Sequence, residues 1–163
     1  MIDLRRILVP TDFGEHSRNA LNYGAALADK FRAALTLLHV LPYDVLVPPD
    51  PMLAAPVPVP PPVGQEDDAR AALDRLRADP KLDGLDVATE VVRGDPAEEI
   101  VRYARQREID LIVLGTHGHT GLAHLLTGST AERVVRRAPC PVLTVHHPEH
   151  EFVVPDEGEG GDV

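Results

Sequence analysis

The sequence predicts an α/β fold, a doubly wound parallel sheet of five strands with helices on both faces. Three observations carry that expectation. Apolar runs such as Ile7-Leu8-Val9 and Leu111-Ile112-Val113-Leu114 are nearly continuous, as strands buried on both sides require. These runs alternate along the chain with segments of helical periodicity. A glycine-rich stretch, GTHGHTGLAHLLTGST from Gly115 to Thr130, then joins one apolar run directly to a helical segment.

Each element has its own warrant. Residues 4–9 read as the first strand, and residues 17–31 as a helix whose Ala20, Gly24, Leu27, Ala28 and Phe31 form one apolar stripe. Residues 34–40 give the second strand. Nine of the sixteen prolines fall between Leu41 and Val63, a density that bars helix interior and central strand and favours an extended polyproline II loop or flap. Residues 66–78 are helical, with Ala69, Ala72, Leu73 and Leu76 on one face. Residues 85–92 form the third strand. Gly94-Asp95-Pro96 then turns into a helix with proline at its first position, burying Ala97, Ile100, Val101 and Ala104. The fourth strand is 109–114, the last helix 129–137, and the fifth strand 141–146. From Pro148 onward the chain is acidic and glycine-rich, the composition of a disordered tail. The expected organisation is therefore one domain over 1–147, with the proline-rich loop 41–63 inserted, and a tail over 148–163.

Composition narrows the function classes. At 163 residues, 44% hydrophobic and 26% charged, the chain is an ordinary globular domain able to bury roughly two-thirds of its unfolded surface. No apolar run approaches the ~20 residues that span a bilayer, and the N-terminus runs into a strand without a signal-peptide pattern. The single cysteine, Cys140, rules out a disulfide framework within the chain and fits a reducing compartment. The expectation is a cytoplasmic protein with no membrane partner. A net charge of −10 also speaks against a nucleic-acid partner, because phosphate backbones need a basic footprint.

The chemistry concentrates in the glycine-rich stretch. Glycines let backbone approach an anion closely, and the free N–H groups and positive dipole end of a following helix hold negative charge. Gly115 and Gly118 open the loop; Gly128, Ser129 and Thr130 close it at the helix start. This is neither a Walker A loop, for no Gly-Lys-Ser/Thr follows, nor a G-x-G-x-x-G dinucleotide turn. In sheets of this class ligands bind beyond the carboxyl ends of the strands, where strand order reverses. Pro10-Thr11-Asp12, after the first strand, is the second candidate segment there. Asp12 has two readings of equal weight, a ligand to base, ribose or metal-bound phosphate, or the cap of the first helix.

Other features carry less. Of the eight histidines, His117, His119 and His124 lie close in sequence, as do His146, His147 and His150. None of these spacings matches a zinc pattern, so they read as surface and loop residues and no metal centre is expected. Cys140, between Pro139 and Pro141, reads as a small buried hydrophobe. Ser129 and Thr130 lack an activating histidine–acid pair or a G-x-S-x-G elbow, so phosphate binding explains them better than nucleophilic catalysis, and no catalytic residue is expected. Arg133, Arg136 and Arg137 read as a solvated face complementing the helix dipole.

The segments ILVPTDF, LLHV, RGDPAEEIV and DLIVLGTHGHTGLAHLLTGSTAERVVRRAPCPVLTV resemble the universal stress protein (UspA) superfamily, from Ile7 to Val145. The resemblance implies strand order 3-2-1-4-5 in an adenine nucleotide alpha hydrolase-like, Rossmann-like fold, and a homodimer joined through the fifth strand. Family members that bind ATP carry G-x2-G-x9-G-[ST], which stands here as Gly115, Gly118, Gly128 and Ser129. By that resemblance Gly118, Gly128, Ser129 and Thr130 meet the phosphates, with Thr116 and His119 in the same loop and Gly115 near the ribose. Pro10, Thr11, Asp12 and Val40 line the adenosine end. Two positions depart from the pattern: His119 stands where many members have arginine, and Gly14 where serine is common. A neutral histidine offers a hydrogen bond rather than fixed charge. The resemblance thus implies a stress-response or regulatory protein holding ATP, with Mg²⁺, and turning it over slowly or not at all. A nucleotide-free dimeric interaction module and a weak ATPase are the alternatives, the latter disfavoured because phosphoryl transfer needs fixed positive charge or metal clamps.

Overall fold

A computed structural model of the chain describes residues 2–46, 57–59, 62–116 and 130–146. Strand β1 (Arg6–Pro10) is followed by α1 (Glu15–Phe31) and β2 (Ala34–Leu41). Two short strands, β3 (Asp44–Leu46) and β4 (Val57–Val59), come next, then α2 (Gln65–Arg77) and a turn of 3₁₀ helix at Pro80–Leu82. The chain continues through β5 (Val87–Arg93), α3 (Pro96–Gln106), β6 (Leu111–Gly115), α4 (Thr130–Arg137) and β7 (Val142–Val145). Five strands form one sheet in the order β5-β2-β1-β6-β7, every neighbouring pair parallel. Counting only that sheet's strands, the order is the expected 3-2-1-4-5.

The sheet divides the core into two layers. On one side α1 packs over β1, β6 and β7 while α2 covers β5 and β2. Ile7, Val9, Leu35 and Leu37 meet Ala20, Leu21, Ala28 and Leu73 there. On the other side α3 and α4 pack against each other and on the sheet, and Leu8, Leu38, Val40, Ile112 and Leu114 meet Ile100, Ala104, Ala131 and Val134. Alternate residues of β1 and β2 therefore serve opposite layers, as the period of two demands. Ile7, Leu8 and Val9 are all fully buried, which is why the strand reads as a continuous apolar run. The four buried residues of α3 are the expected Ala97, Ile100, Val101 and Ala104.

Gly24 shows where a helix comes closest to the sheet. A Cβ there would lie 2.5 Å from Val9 Cγ2, so glycine lets α1 sit down on β1.

Three local readings change. Helix α1 begins at Glu15, two residues before the expected start, because Gly14 is its cap. The proline-rich segment is more than extended loop: β3 and β4 pair antiparallel, with Pro58 opposite Val45. A two-stranded ribbon has free edges, and a proline lacking its N–H is tolerated at an edge. Cys140 is half-buried rather than fully enclosed, and packs against the α3/α4 layer. Burial still pushes its thiol pKa up, with nearby Asp110 adding to the rise.

Candidate functional site

The strand order reverses between β1 and β6. β1 leads to β2 on one side, and β6, its neighbour on the other, leads outward to β7. Pro10 closes β1, Thr11 and Asp12 follow it, Val40 lies near the end of β2, and Gly115 ends β6 with Thr116 behind it. Thr130 is the first residue of α4 and is exposed. Parallel pairing of β2, β1 and β6 brings the carboxyl ends of these strands together, so Pro10, Thr11, Asp12, Val40, Gly115 and Thr116 share one end of the sheet. Gly118, His119, Gly128 and Ser129 lie outside the described residues, as do His117 and the tail from residue 147.

The turn after β1 is closely organised. The Thr11 N–H donates to the Leu38 carbonyl at 2.9 Å, continuing the ladder with β2. The Phe13 N–H donates to Thr11 Oγ1 at 3.0 Å, and Ser17 Oγ donates to the Gly14 carbonyl at 2.9 Å. Thr11 Oγ1 and Ser17 Oγ are 3.1 Å apart. Because the Ser17 proton is already committed, the Thr11 hydroxyl is the donor between them. Among the described residues, Thr11 and Ser17 are the buried polar ones. Phe13 has φ +65, a conformation that costs a bulky residue on the order of 1–2 kcal/mol.

Asp12 closes a turn just ahead of α1. Its Oδ1 accepts from the Gly14 N–H at 2.9 Å, closing an Asx turn, and the Gly14 cap of α1 has no side-chain hydrogen bond.

Gly115 has a packing reason for its identity. A Cβ there would stand 2.7 Å from the His16 carbonyl oxygen and 2.8 Å from its carbon, so β6 ends against the backbone of the first turn of α1. Beyond it the Thr116 N–H donates to the Val145 carbonyl at 3.1 Å, and Thr116 Oγ1 lies 2.9 Å from His146 Nδ1. The end of β6 is thus held from both sides.

The arginines of α4 are not simply a solvated face. Arg133 Nη1 meets Asp95 Oδ2 at 2.8 Å, and Arg137 Nη1 reaches Glu98 Oε1 at 3.5 Å. Asp95 is the N-cap of α3, its Oδ1 accepting from the Glu98 N–H at 3.0 Å. The Arg133 hydrogen bond, with help from the Glu98 N–H, holds the Asp95 pKa below the usual carboxylate value. Arg136 pairs along its own helix, with Glu132 at 2.7 Å. Sequence reading missed the Arg133–Asp95 tie because nothing local links residues 38 apart; the pairing of α3 with α4 creates it.

Charge at the site is sparse. Among the described candidates Asp12 alone is charged, and the nearest cation of α4 with a partner, Arg133, is engaged with Asp95. An anion bound there would have to be met by backbone N–H groups and the α4 N-terminus. Among the described residues no cluster of three or more histidine, cysteine, aspartate or glutamate side chains could hold a metal ion, and no helix is long and apolar enough to cross a membrane.

A five-stranded parallel sheet with helices on both faces and a strand-order reversal between β1 and β6 defines a doubly wound α/β protein. The universal stress protein family model matches residues 3–146, and the chain belongs to that family. It is 35% identical to universal stress protein MJ0531 of Methanocaldococcus jannaschii over 150 residues, 90% of this chain and 85% of that one. Universal stress protein UspA from Lactobacillus plantarum superposes with a TM-score of 0.70 at 30% identity, covering 89% of this chain and 99% of its own. A universal stress protein crystallised in complex with cAMP superposes at 0.63 with 25% identity, covering 89% and 98%.

Proposed function

We propose that the chain holds an adenine nucleotide, ATP with Mg²⁺, in the crevice between β1 and β6, in a stress-response or regulatory role with slow or no hydrolysis. The observation that carries this reading is one of placement. The G-x2-G-x9-G-S pattern begins at Gly115, at the carboxyl end of β6 and beside Pro10-Thr11-Asp12, and ends where α4 starts. The phosphates would lie along Thr116, Gly118, His119, Gly128, Ser129 and Thr130, and the adenosine along Pro10, Thr11, Asp12 and Val40. The relative crystallised with cAMP supports an adenine nucleotide in a fold of this kind. Slow turnover follows from charge: no lysine or arginine lies between Gly115 and Thr130, and transfer of a phosphoryl group needs such charge or a well-held metal.

Denaturing freshly purified protein never exposed to added nucleotide, and separating the supernatant with mass detection, tests the reading. Adenine nucleotide near one per chain supports it, and a mixture rich in ADP brings slow hydrolysis forward. A protein that emerges empty and then fails to bind ATP with Mg²⁺ by calorimetry overturns it. One observation favours the alternative, a nucleotide-free dimeric module: the contact of Gly115 with His16 accounts for that glycine without a ligand. Under either reading the free edge of β7 is the proposed dimer seam, and sedimentation should show two chains per particle.

A further inference from the structure

We propose that His39 is the positioning residue of this site, acting through the Thr11 carbonyl from the opposite face of the sheet. The inference rests on the nucleotide reading above. His39 follows Leu35 and Leu37 at the period of two on β2, so it belongs to the layer under α1 and α2, whereas Val40 belongs to the α3/α4 layer. Its Nδ1 lies 2.8 Å from the Thr11 carbonyl oxygen. A carbonyl oxygen only accepts, so the proton of this bond sits on Nδ1.

That bond is the one the turn cannot supply for itself. The Thr11 N–H is used by Leu38, its hydroxyl by Phe13 and Ser17, and the Asp12 carboxylate by Gly14. The Thr11 carbonyl is met from β2, by a side chain. The same ring lies against Phe13, centroids 4.5 Å apart and planes at 34°, and so props the residue whose φ is +65. The Thr11 carbonyl and the Asp12 N–H belong to one planar peptide unit. Fixing the oxygen therefore fixes the direction of the Asp12 N–H and the point from which the Asp12 side chain departs. His39 thereby sets the adenosine end of the crevice without touching what lies in it. A strained residue held by several independent contacts at a ligand end is the pattern expected where geometry serves binding.

The test compares H39N with H39Q. An asparagine amide reaches about where Nδ1 stands, and a glutamine amide about where Nε2 stands. ATP affinity with Mg²⁺ is measured by calorimetry on the full chain, alongside thermal unfolding. H39N should bind within about threefold of the original protein, while H39Q loses about tenfold, the effect of one hydrogen bond, at similar melting temperature. Equal affinity of the two variants overturns the role of His39 while leaving the nucleotide reading intact. Original protein that binds no adenine nucleotide overturns that reading and this one together. Ring ¹⁵N shifts in the unliganded protein give a check independent of ligand: a proton on Nε2 and none on Nδ1 overturns the proposal outright.

Discussion

Gly115 shows how a single residue can be committed twice. Its missing Cβ is what lets β6 end against the His16 backbone, and the same residue opens the loop proposed to receive phosphate. Backbone cannot swing aside as a side-chain tip can, so alanine there must push α1 away from the sheet. Overpacking of this kind costs about 1–3 kcal/mol. Urea unfolding of Gly115→Ala should show that loss in the absence of any nucleotide; unchanged stability would mean that α1 has room to move. Asp12 makes the complementary point. Sequence gave two readings of equal weight, and neither anticipated the hydrogen bond to the Gly14 N–H, because that bond depends on Phe13 adopting positive φ. No propensity scale announces such a conformation for phenylalanine. It is propped by the His39 ring from β2, a long-range cause.

Among the elements, α3 and α4 were legible from pattern and their partnership was not. The apolar positions of α3 and the proline at its first position are local, and the sequence predicts both. The tie from Arg133 to Asp95 arises only once both helices lie on one face of the sheet. It predicts a pH dependence. The Asp95 pKa is lowered in the folded protein, so the pair contributes stability above the unfolded value of 3.8 and loses it as pH falls through the lower folded value. Asparagine keeps the cap, so Asp95→Asn isolates the ion pair. The difference in melting temperature between the two proteins should be steady near neutrality, start to close as pH falls past about 4 and vanish below the lowered folded value; a gap that persists in stronger acid would place the effect elsewhere. The segment joining β6 to α4 supports a second prediction. Gly118→Val with Gly128→Val should abolish ATP binding while circular dichroism and particle mass stay unchanged, because added side chains block the backbone's approach to phosphate. Unaltered affinity would remove these glycines from the site.

At the scale of the whole molecule the parallel sheet followed from alternation and its strand order from the family resemblance, and what remained unread was the ribbon of β3 and β4, where proline content outweighed the Val57-Pro58-Val59 alternation. The proposed nucleotide should be felt by the entire fold. Ligand at a hundred times its dissociation constant adds about 2.7 kcal/mol to the stability of the bound state, which for a domain of this size raises the melting temperature by roughly 5–10 °C. Scanning calorimetry with and without ATP and Mg²⁺ reads this directly, and no shift at millimolar nucleotide would count against binding. The seat of β6 on α1 bears also on how such chains are compared. Since packing alone demands glycine at 115, a relative of this architecture would keep it with an empty crevice, and its presence says nothing of ligand. The diagnostic weight of the pattern falls on Gly118, Gly128 and Ser129, and a chain that had lost those while keeping the first glycine would be a folded protein with its binding function erased.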